Sequence, residues 1–270
     1  MTIQQLFKQA TLNTDKQTTE NIRWLIKETI QKDVLSWNES QISTEQLSDI
    51  QQKIDQLKSG TPLAYVLGFV PFYDCKITVD SRVLIPRPET EMLCELIIQE
   101  NKSAFLKVLD LCTGSGCISI ALAKNLQAPQ VTASDISQAC LQVATINAQS
   151  NNAKVNFIQS NLLDSINDKF DIIVSNPPYL DKVELQLIVP KAVKDYEPNL
   201  ALYGGEDGLD FYKRIANTAH NNLNPDGLLY LEVGDKQAYK VVELLKENFT
   251  DILIIQDYFG FDRFIKARRK

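Results

Sequence analysis

The stretch Phe170-Asp-Ile-Ile-Val-Ser-Asn-Pro-Pro-Tyr179 decides the fold, because an apolar run of strand length ends there at two prolines. Residues 172–174 are β-branched and suit a strand buried on both faces, whereas Pro177 and Pro178 lack the N–H that a β ladder needs. The strand is therefore expected to end at Asn176. Ligands of open parallel sheets bind outside the carboxyl ends of the strands, so this end is the expected functional site.

The polar groups of this segment indicate a particular chemistry. The clash that precedes a proline holds Asn176 and Pro177 extended, which fixes where they point. A carboxamide beside a main-chain carbonyl matches a substrate NH2 group that must be held and relieved of protons. We predict catalysis at a planar nitrogen by Asn176, Pro177 and Tyr179. The structural alternative is an ordinary strand end followed by a proline turn.

Composition excludes several classes of protein. The 270 residues suit one α/β domain and a small accessory unit, since domains typically run ~100–200 residues. A net charge of −6 argues against a long phosphate-tracking surface, so direct nucleic-acid binding is unexpected. Five cysteines without a Cys-x-x-Cys pair and one histidine predict no metal site. No apolar run reaches ~18 residues and the amino terminus has no signal-like pattern, which predicts a cytoplasmic protein without membrane contact.

The amino-terminal part of the chain has helical periodicity, and residues 1–75 are expected to form a small helical domain. Apolar residues recur at helical spacing in two stripes, Ile22, Leu25, Ile26, Ile30 and Leu47, Ile50, Ile54, Leu57. Ser43 and Gln46 have the spacing of a capping box for the second helix. Two roles stay open for this domain, a structural cap or a docking surface for a partner.

Residues 76–103 are expected to be a linker with short strands and a helix. Extended pieces lead into Pro86-Arg-Pro-Glu-Thr-Glu91, where two prolines hold Arg87 in an extended backbone. Thr90 or Glu89 is expected to cap the following helix. Arg87 and Glu89 are also candidates to line the site.

A second informative stretch is Lys107-Val-Leu-Asp-Leu-Cys-Thr-Gly-Ser-Gly116, an apolar strand followed by an acidic residue and a Gly-x-Gly turn. Gly114 and Gly116 let the main chain approach a ligand, and Asp110 can order the loop through its N–H groups. Position 119 is Ser, so the third glycine of the dinucleotide fingerprint is missing. A nucleoside-like cofactor smaller than a dinucleotide is therefore expected.

Two further strand ends add polar groups at the same edge. The strand 130–133 leads to Asp135, which can accept the hydroxyls of a ribose, although a helix cap is the alternative role. The strand 154–159 leads to Asn161, which could accept from an adenine amino group, and to Leu162, which could cover the ring. These spacings place a cofactor site beside the Asn-Pro-Pro-Tyr segment.

The rest of the chain predicts a mostly parallel α/β sheet in a domain of residues 104–270. Residues 180–208 are expected to be irregular. The later elements are expected to be a helix at 209–223, a strand at 227–233, a helix at 237–249 and strands at 252–257 and 263–267. The last two strands are too close for a helical crossover and should be antiparallel.

The ordered set Asp110-Leu-Cys-Thr-Gly-Ser-Gly116, Asp135 and Asn176-Pro-Pro-Tyr179 resembles class I S-adenosylmethionine-dependent methyltransferases that act on planar amino groups. Further motifs resemble the HemK/PrmC family of release factor glutamine methyltransferases over nearly the whole chain. These are Leu84-Ile-Pro-Arg-Pro-Glu-Thr-Glu91, Glu197-Pro198, Gly204-Gly-Glu-Asp-Gly208 and the helical amino-terminal unit. The resemblance implies a Rossmann-like sheet, mostly parallel with an antiparallel C-terminal strand.

The resemblance also implies ligands and residue roles. S-adenosyl-L-methionine would be held by Asp110, Cys112, Thr113, Gly114, Ser115, Gly116, Asp135, Asn161, Leu162 and Asn176. The glutamine of the Gly-Gly-Gln loop of peptide-chain release factors would be held by Asn176, Pro177, Pro178, Tyr179, Arg87 and Glu89, with the amino-terminal helices as docking surface. Two residues depart from the family pattern: Cys112 replaces a usual Gly, and Asn161 replaces a common acidic residue.

Competing functions are an adenine-amino methyltransferase for DNA or RNA and a non-catalytic cofactor-binding subunit. Adenine offers an equivalent NH2 group after base flipping. The negative charge and the lack of a basic recognition domain count against that function. A monomer is expected.

Overall fold

The computed structural model describes residues 1–32, 34–102 and 105–270. The described residues form two compact units, Met1–Phe69 with Lys191–Tyr196, and Val70–Pro190 with Glu197–Lys270. The segment 76–102 belongs to the second unit, and the predicted boundary between residues 103 and 104 lies outside the described residues.

The first unit is helical. Its helices are α1 (Ile3–Ala10), α2 (Lys16–Ile30), α3 (Thr44–Lys58) and α4 (Leu63–Leu67), joined by a later helix, α8 (Lys191–Tyr196). The predicted capping box of α3 is confirmed, because Gln46 N donates to Ser43 Oγ at 3.1 Å and Ser43 N donates to Gln46 Oε1 at 3.2 Å. Both predicted apolar stripes face a buried core that also includes Trp37.

In the described part of the chain, the second unit contains a seven-stranded sheet with the order β5-β4-β3-β6-β7-β9-β8. Its strands are β3 (Lys107–Leu111), β4 (Gln130–Asp135), β5 (Val155–Gln159), β6 (Phe170–Ser175), β7 (Leu223–Glu232), β8 (Phe249–Gln256) and β9 (Asp262–Arg269). Strands β3 to β7 pair in parallel, whereas β9 is antiparallel to β7 and to β8. The predicted fold class, including the antiparallel carboxyl-terminal strand, is confirmed.

Helices and a smaller sheet complete the second unit. The helices are α5 (Pro88–Glu100), α6 (Cys117–Asn125), α7 (Gln138–Ser150), α9 (Asp210–Thr218) and α10 (Ala238–Leu245). Strands β1 (Phe69–Phe72) and β2 (Cys75–Thr78) form a separate two-stranded sheet. Within the described ranges, no helix combines the length and apolar character needed to cross a membrane.

The strand register brings the polar strand ends together. Leu111 pairs with Ser134 of β4 and with Ser175 of β6, so β3, β4 and β6 end at one level. The apolar residues of β6 are buried, as its β-branched run predicted, and those of β3 are buried as well. The residues that follow these strands therefore share one edge of the sheet.

Two local predictions were wrong. Helix α5 begins at Pro88 with Arg87 as N-cap, and neither Thr90 nor Glu89 caps it. Proline suits the first helical position, which leaves the Thr90 hydroxyl available for another partner.

The segment 180–208 is more regular than predicted, with a π-helical turn at Glu184–Ile188, the helix α8 and a 3-10 turn at Asn199–Ala201. Elements this short show no periodicity in the sequence.

Candidate active site

A cavity of about 460 Å³, which we name the main cavity, opens at the carboxyl ends of β3, β4 and β6. Its volume is typical of small-molecule sites. Its lining includes seven of the predicted site residues, Cys112, Gly114, Asp135, Asn161, Leu162, Asn176 and Pro178. It also includes residues that the sequence did not single out, among them Ile136, Phe211 and Arg214. The strand ends that were predicted to converge thus meet around one space.

Asp110 supports the glycine turn from beneath the cavity. Its Oδ2 accepts from Thr113 Oγ1 at 2.6 Å and from Ser119 N at 3.1 Å. Burial raises the pKa of Asp110 to about 7, and its Oδ1 has no hydrogen-bond partner among the described residues. Thr113 and Ser115 are buried within the turn, and Gly116 is the N-cap of α6. These residues shape the loop from outside the cavity lining.

Asp135 joins two loops at the mouth of the cavity. Its Oδ2 accepts from Gly114 N at 2.9 Å and its Oδ1 accepts from Ser137 N at 2.9 Å. Burial raises the pKa of Asp135, and the backbone hydrogen bonds from Ser137 and Gly114 oppose this effect. An ionised carboxylate has about four acceptor positions, so each oxygen retains a lone pair for a ligand hydroxyl.

Cys112 occupies a backbone conformation that favours glycine. Its φ is 60°, in the left-handed region. Its side chain packs against the core of the second unit and also lines the cavity. The departure from the family's usual Gly is therefore accommodated at the cost of backbone strain.

Asn161 and Leu162 also line the cavity. Arg214 donates through Nη1 to Asn161 Oδ1 at 2.9 Å and through Nη2 to the Asn161 carbonyl at 3.4 Å. Leu162 is buried and lines the cavity. The adenine contact of Asn161 stays a prediction, and its carboxamide oxygen already serves Arg214.

The Asn176 carboxamide belongs to a chain of hydrogen bonds that the sequence did not reveal. Asn176 Nδ2 donates to Thr90 Oγ1 at 3.1 Å, and Thr90 Oγ1 donates to Glu232 Oε2 at 2.7 Å. Thr90 and Glu232 are 2% and 1% exposed. The sequence did contain a signal for Glu232 as a site residue. Glu232 is the polar residue that ends the apolar run of β7, just as Asn176 is the polar residue after the apolar run of β6. Burial raises the pKa of Glu232 to about 7.

Tyr179 anchors the segment to the rest of the unit. Its carbonyl accepts from Gln237 Nε2 at 2.8 Å, and its ring packs against the core cluster. Burial raises the pKa of the Tyr179 hydroxyl. Gly204 packs on the same segment, since a Cβ there would lie 2.7 Å from Pro178 O and 2.7 Å from Tyr179 Cα. This close approach gives the Gly-Gly-Glu-Asp-Gly motif a structural reason.

Arg87 and Glu89 lie outside the lining of the main cavity. Arg87 Nη2 donates to Glu197 Oε1 at 2.6 Å, and Ile85 N donates to Glu197 Oε2 at 3.2 Å. Glu89 lines a separate cavity of about 280 Å³ with the aromatic residues Tyr258 and Phe259. Their contacts with substrate stay predictions. Pro177 is buried and also lies outside the lining of the main cavity.

Comparison with known proteins agrees with this fold. The family model "Methyltransferase small domain" matches residues 88–204. The crystal structure of a methyltransferase from Pyrococcus furiosus is similar with a TM-score of 0.57, over 82% of this chain and 98% of that one. The two sequences are 20% identical, so this likeness concerns the fold. Residues 88–204 thus match a methyltransferase family model, and the solved structure shares the fold.

Close relatives narrow the class. The chain is 42% identical to the release factor glutamine methyltransferase of Lactococcus lactis subsp. lactis, over 96% of this chain and 97% of the relative. It is 43% identical to the enzyme of the same name from Streptococcus pneumoniae, over 84% and 82% of the two chains. The chain belongs to the release factor glutamine methyltransferase family, as its motifs indicated.

Proposed function

We propose that the protein transfers a methyl group from S-adenosyl-L-methionine to the side-chain amide nitrogen of the glutamine in the Gly-Gly-Gln motif of peptide-chain release factors. The observation that carries this proposal is Asn176 at the cavity wall. Its Nδ2 is engaged by Thr90, which leaves Oδ1 as the acceptor for a substrate N–H. The names of the relatives support the same substrate.

The cavity fits the cofactor. Asp135 retains acceptor positions suited to the two hydroxyls of a ribose, and a Cβ built at Gly114 would meet nothing within 4 Å, so the turn leaves room for a ligand against its backbone. Leu162, Ile136 and Phe211 supply apolar surface for a purine ring. When bound, S-adenosyl-L-methionine supplies a sulfonium-activated methyl group.

The substrate amide is a poor nucleophile because its lone pair is delocalised, so orientation should carry most of the catalysis. One substrate N–H would donate to Asn176 Oδ1 and the other to the Pro177 carbonyl, which would leave the nitrogen lone pair free for the methyl group. The C–N bond would form as the C–S bond of the sulfonium breaks, and the amide proton that is lost would pass to solvent. Tyr179 packs on the amide plane, and Arg87 and Glu89 contact the substrate loop. Oriented polar groups of this kind are typically worth ~3–4 kcal/mol in transition-state energy.

A protein substrate also needs a docking surface, and we assign this role to the helical first unit, predicted as residues 1–75 and composed of Met1–Phe69 and Lys191–Tyr196. Residues 104–270 would bind the cofactor, connected through residues 76–103. The predicted cofactor-binding residues belong to the second unit, which leaves the first unit available for recognition. The protein would act in the cytoplasm as a monomer.

A direct test is incubation with methyl-labelled S-adenosyl-L-methionine and one of three acceptors. These are a release factor, the same factor with its Gly-Gly-Gln glutamine replaced by alanine, and duplex DNA. Label on the unmodified factor alone is expected. Label on DNA would support an adenine-amino methyltransferase, and cofactor binding without label on any acceptor would support a non-catalytic subunit.

A further inference from the structure

Three polar side chains from distant parts of the sequence form one chain of hydrogen bonds that runs from the buried residues Thr90 and Glu232 to Asn176 at the main cavity. Thr90 lies in the first turn of α5, Asn176 follows β6, and Glu232 is the last residue of β7. The hydrogen bonds are 3.1 Å from Asn176 Nδ2 to Thr90 Oγ1 and 2.7 Å from Thr90 Oγ1 to Glu232 Oε2. Of these three described residues, Asn176 lines the cavity, whereas Thr90 and Glu232 do not.

The chemistry of the three groups fixes the direction of these bonds. Above about pH 7 the Glu232 carboxylate is ionised and can accept but not donate, so the single hydroxyl hydrogen of Thr90 then goes to Glu232. The Thr90 oxygen is then left as an acceptor, which only the NH2 end of the Asn176 carboxamide can serve. Asn176 Oδ1 must therefore lie on the opposite side of the amide group.

The main chain of Glu232 is anchored in the core. Tyr212 Oη donates to the main-chain carbonyl of Glu232 at 2.9 Å, and both residues are buried. The pair Thr90–Glu232 thus presents a fixed acceptor to Asn176 from within the core. Burying a carboxylate is costly and an apolar pair often packs as well, so stability alone does not account for this arrangement.

We propose that Thr90 and Glu232 are positioning residues that hold the Asn176 carboxamide with Oδ1 toward the substrate amide nitrogen. This role rests on the proposed function, in which Asn176 Oδ1 accepts a substrate N–H. Without the hydroxyl of Thr90, the carboxamide can rotate and present its NH2 end, which would repel the substrate NH2. The loss should appear in the methyl-transfer step and leave cofactor binding largely intact.

The first test compares Thr90→Val with Thr90→Ser. Valine keeps the shape of threonine and removes the hydroxyl, whereas serine keeps the hydroxyl. Single-turnover transfer to a release factor, with saturating cofactor, should fall by about 10–100-fold in Thr90→Val, in line with the cost of a misplaced catalytic group. Thr90→Ser should recover most of the rate.

Thr145→Val is the matched control. The Thr145 hydroxyl donates to the Leu141 carbonyl at 2.7 Å within α7, and Thr145 lies outside the lining of the main cavity. Its rate should equal that of the wild type. Calorimetry should give cofactor affinities for the Thr90 variants within about threefold of the wild type, which corresponds to a difference in binding free energy of less than about 1 kcal/mol.

Double variants decide whether Thr90 acts through Asn176. In an Asn176→Ala background, Thr90→Val should slow transfer by less than about twofold, because the group that it positions is gone. The same loss as in the wild-type background would overturn the positioning role. A full rate for Thr90→Val beside a slow Asn176→Ala would also overturn it and leave the proposed function standing, whereas a full rate for Asn176→Ala would overturn both.

Glu232→Gln tests the other end of the chain. Glutamine keeps the size of the side chain but can donate or accept, so Thr90 is no longer forced to present an acceptor to Asn176. Transfer should fall by less than in Thr90→Val, and the loss should again vanish in the Asn176→Ala background. Full activity of Glu232→Gln would remove Glu232 from the proposal.

Discussion

Asp135 is the residue on which cofactor binding should depend most. Replacing it with alanine removes the proposed acceptor for ligand hydroxyls and also the hydrogen bonds from Gly114 N and Ser137 N. We predict that Asp135→Ala weakens S-adenosyl-L-methionine binding by ~1.5–3 kcal/mol, since hydrogen bonds to a charged acceptor are lost. Isothermal calorimetry measures this change, with the exposed Asp168→Ala as control. Unchanged affinity of the Asp135 variant would remove this residue from the cofactor site.

Glu232 should make the stability of the protein depend on pH. Burial raises the pKa of Glu232 from 4.5 to about 7, while the Thr90 hydrogen bond and the charge of Arg263 act in the opposite direction. A raised pKa means that the folded state binds this proton more tightly than the unfolded state. The stabilising contribution is thus complete below about pH 4.5 and is lost as the pH rises through about 7.

We therefore predict that Glu232→Gln becomes more stable relative to the wild type as the pH rises. The difference in free energy of unfolding should shift by about 2 kcal/mol between about pH 5 and pH 7, since one pKa unit corresponds to ~1.4 kcal/mol. Urea unfolding at the two pH values measures the shift. The exposed Glu247→Gln serves as control, and a pH-independent difference for Glu232→Gln would contradict a raised pKa.

At the scale of elements, the turn at Gly204 packs against the Asn-Pro-Pro-Tyr segment that follows β6. Gly204 N donates to the Leu180 carbonyl at 2.8 Å, and a Cβ at Gly204 would lie 2.7 Å from Pro178 O. We predict that Gly204→Ala lowers the free energy of unfolding by about 1–3 kcal/mol through overpacking and also slows methyl transfer.

The control for Gly204 is another glycine turn. Gly260→Ala introduces backbone strain, because the φ of Gly260 is +82°, but a Cβ there would meet nothing within 4 Å. It should lower stability without slowing transfer at temperatures where the protein stays folded. Equal rates for both alanine variants would show that the Gly204 contact does not position the catalytic segment.

The elements that sequence alone predicted were those with a local signal. Strand β6 and the capping box of α3 are determined by residues close together in the sequence, and both are present in the structure. The Thr90–Glu232 bond joins residues 142 positions apart, so no local pattern reveals it. For the same reason the local sequence suggested that Thr90 caps a helix. In the structure its hydroxyl instead donates to the distant Glu232.

Other misses follow from length and from side-chain pairing. The helical turns between residues 184 and 201 span five or six residues at most, too few for periodicity. One local signal was available, since Glu184 N donates to Asp181 Oδ1 at 2.7 Å and Asp181 N donates to Glu184 Oε2 at 3.1 Å. The convergence of the strand ends on one cavity could be predicted from the sequence, whereas the pairing of Asn161 with Arg214 required the fold.

At the scale of the whole molecule, the helical unit should decide which substrate is bound. We predict that deleting residues 1–69 raises the KM for whole release factor by at least about tenfold, equivalent to ~1.4 kcal/mol of docking energy. The kinetics on a short Gly-Gly-Gln peptide should change little, because the predicted cofactor and catalytic residues belong to the second unit. Retained cofactor affinity is the control for folding. An equal loss of activity on peptide and whole factor would contradict a docking role.

The central claim is that the Asn176 carboxamide holds the substrate amide for methyl transfer, and single-turnover methylation of a release factor by Asn176→Ala tests it most directly. With saturating cofactor, the rate should fall by ~10²–10³-fold while cofactor affinity stays close to that of the wild type. Asn176→Asp should be impaired yet faster than Asn176→Ala, because its carboxylate still accepts a substrate N–H but cannot donate to Thr90. A wild-type rate for Asn176→Ala would contradict the claim and leave the Asn-Pro-Pro-Tyr segment as a turn that ends β6.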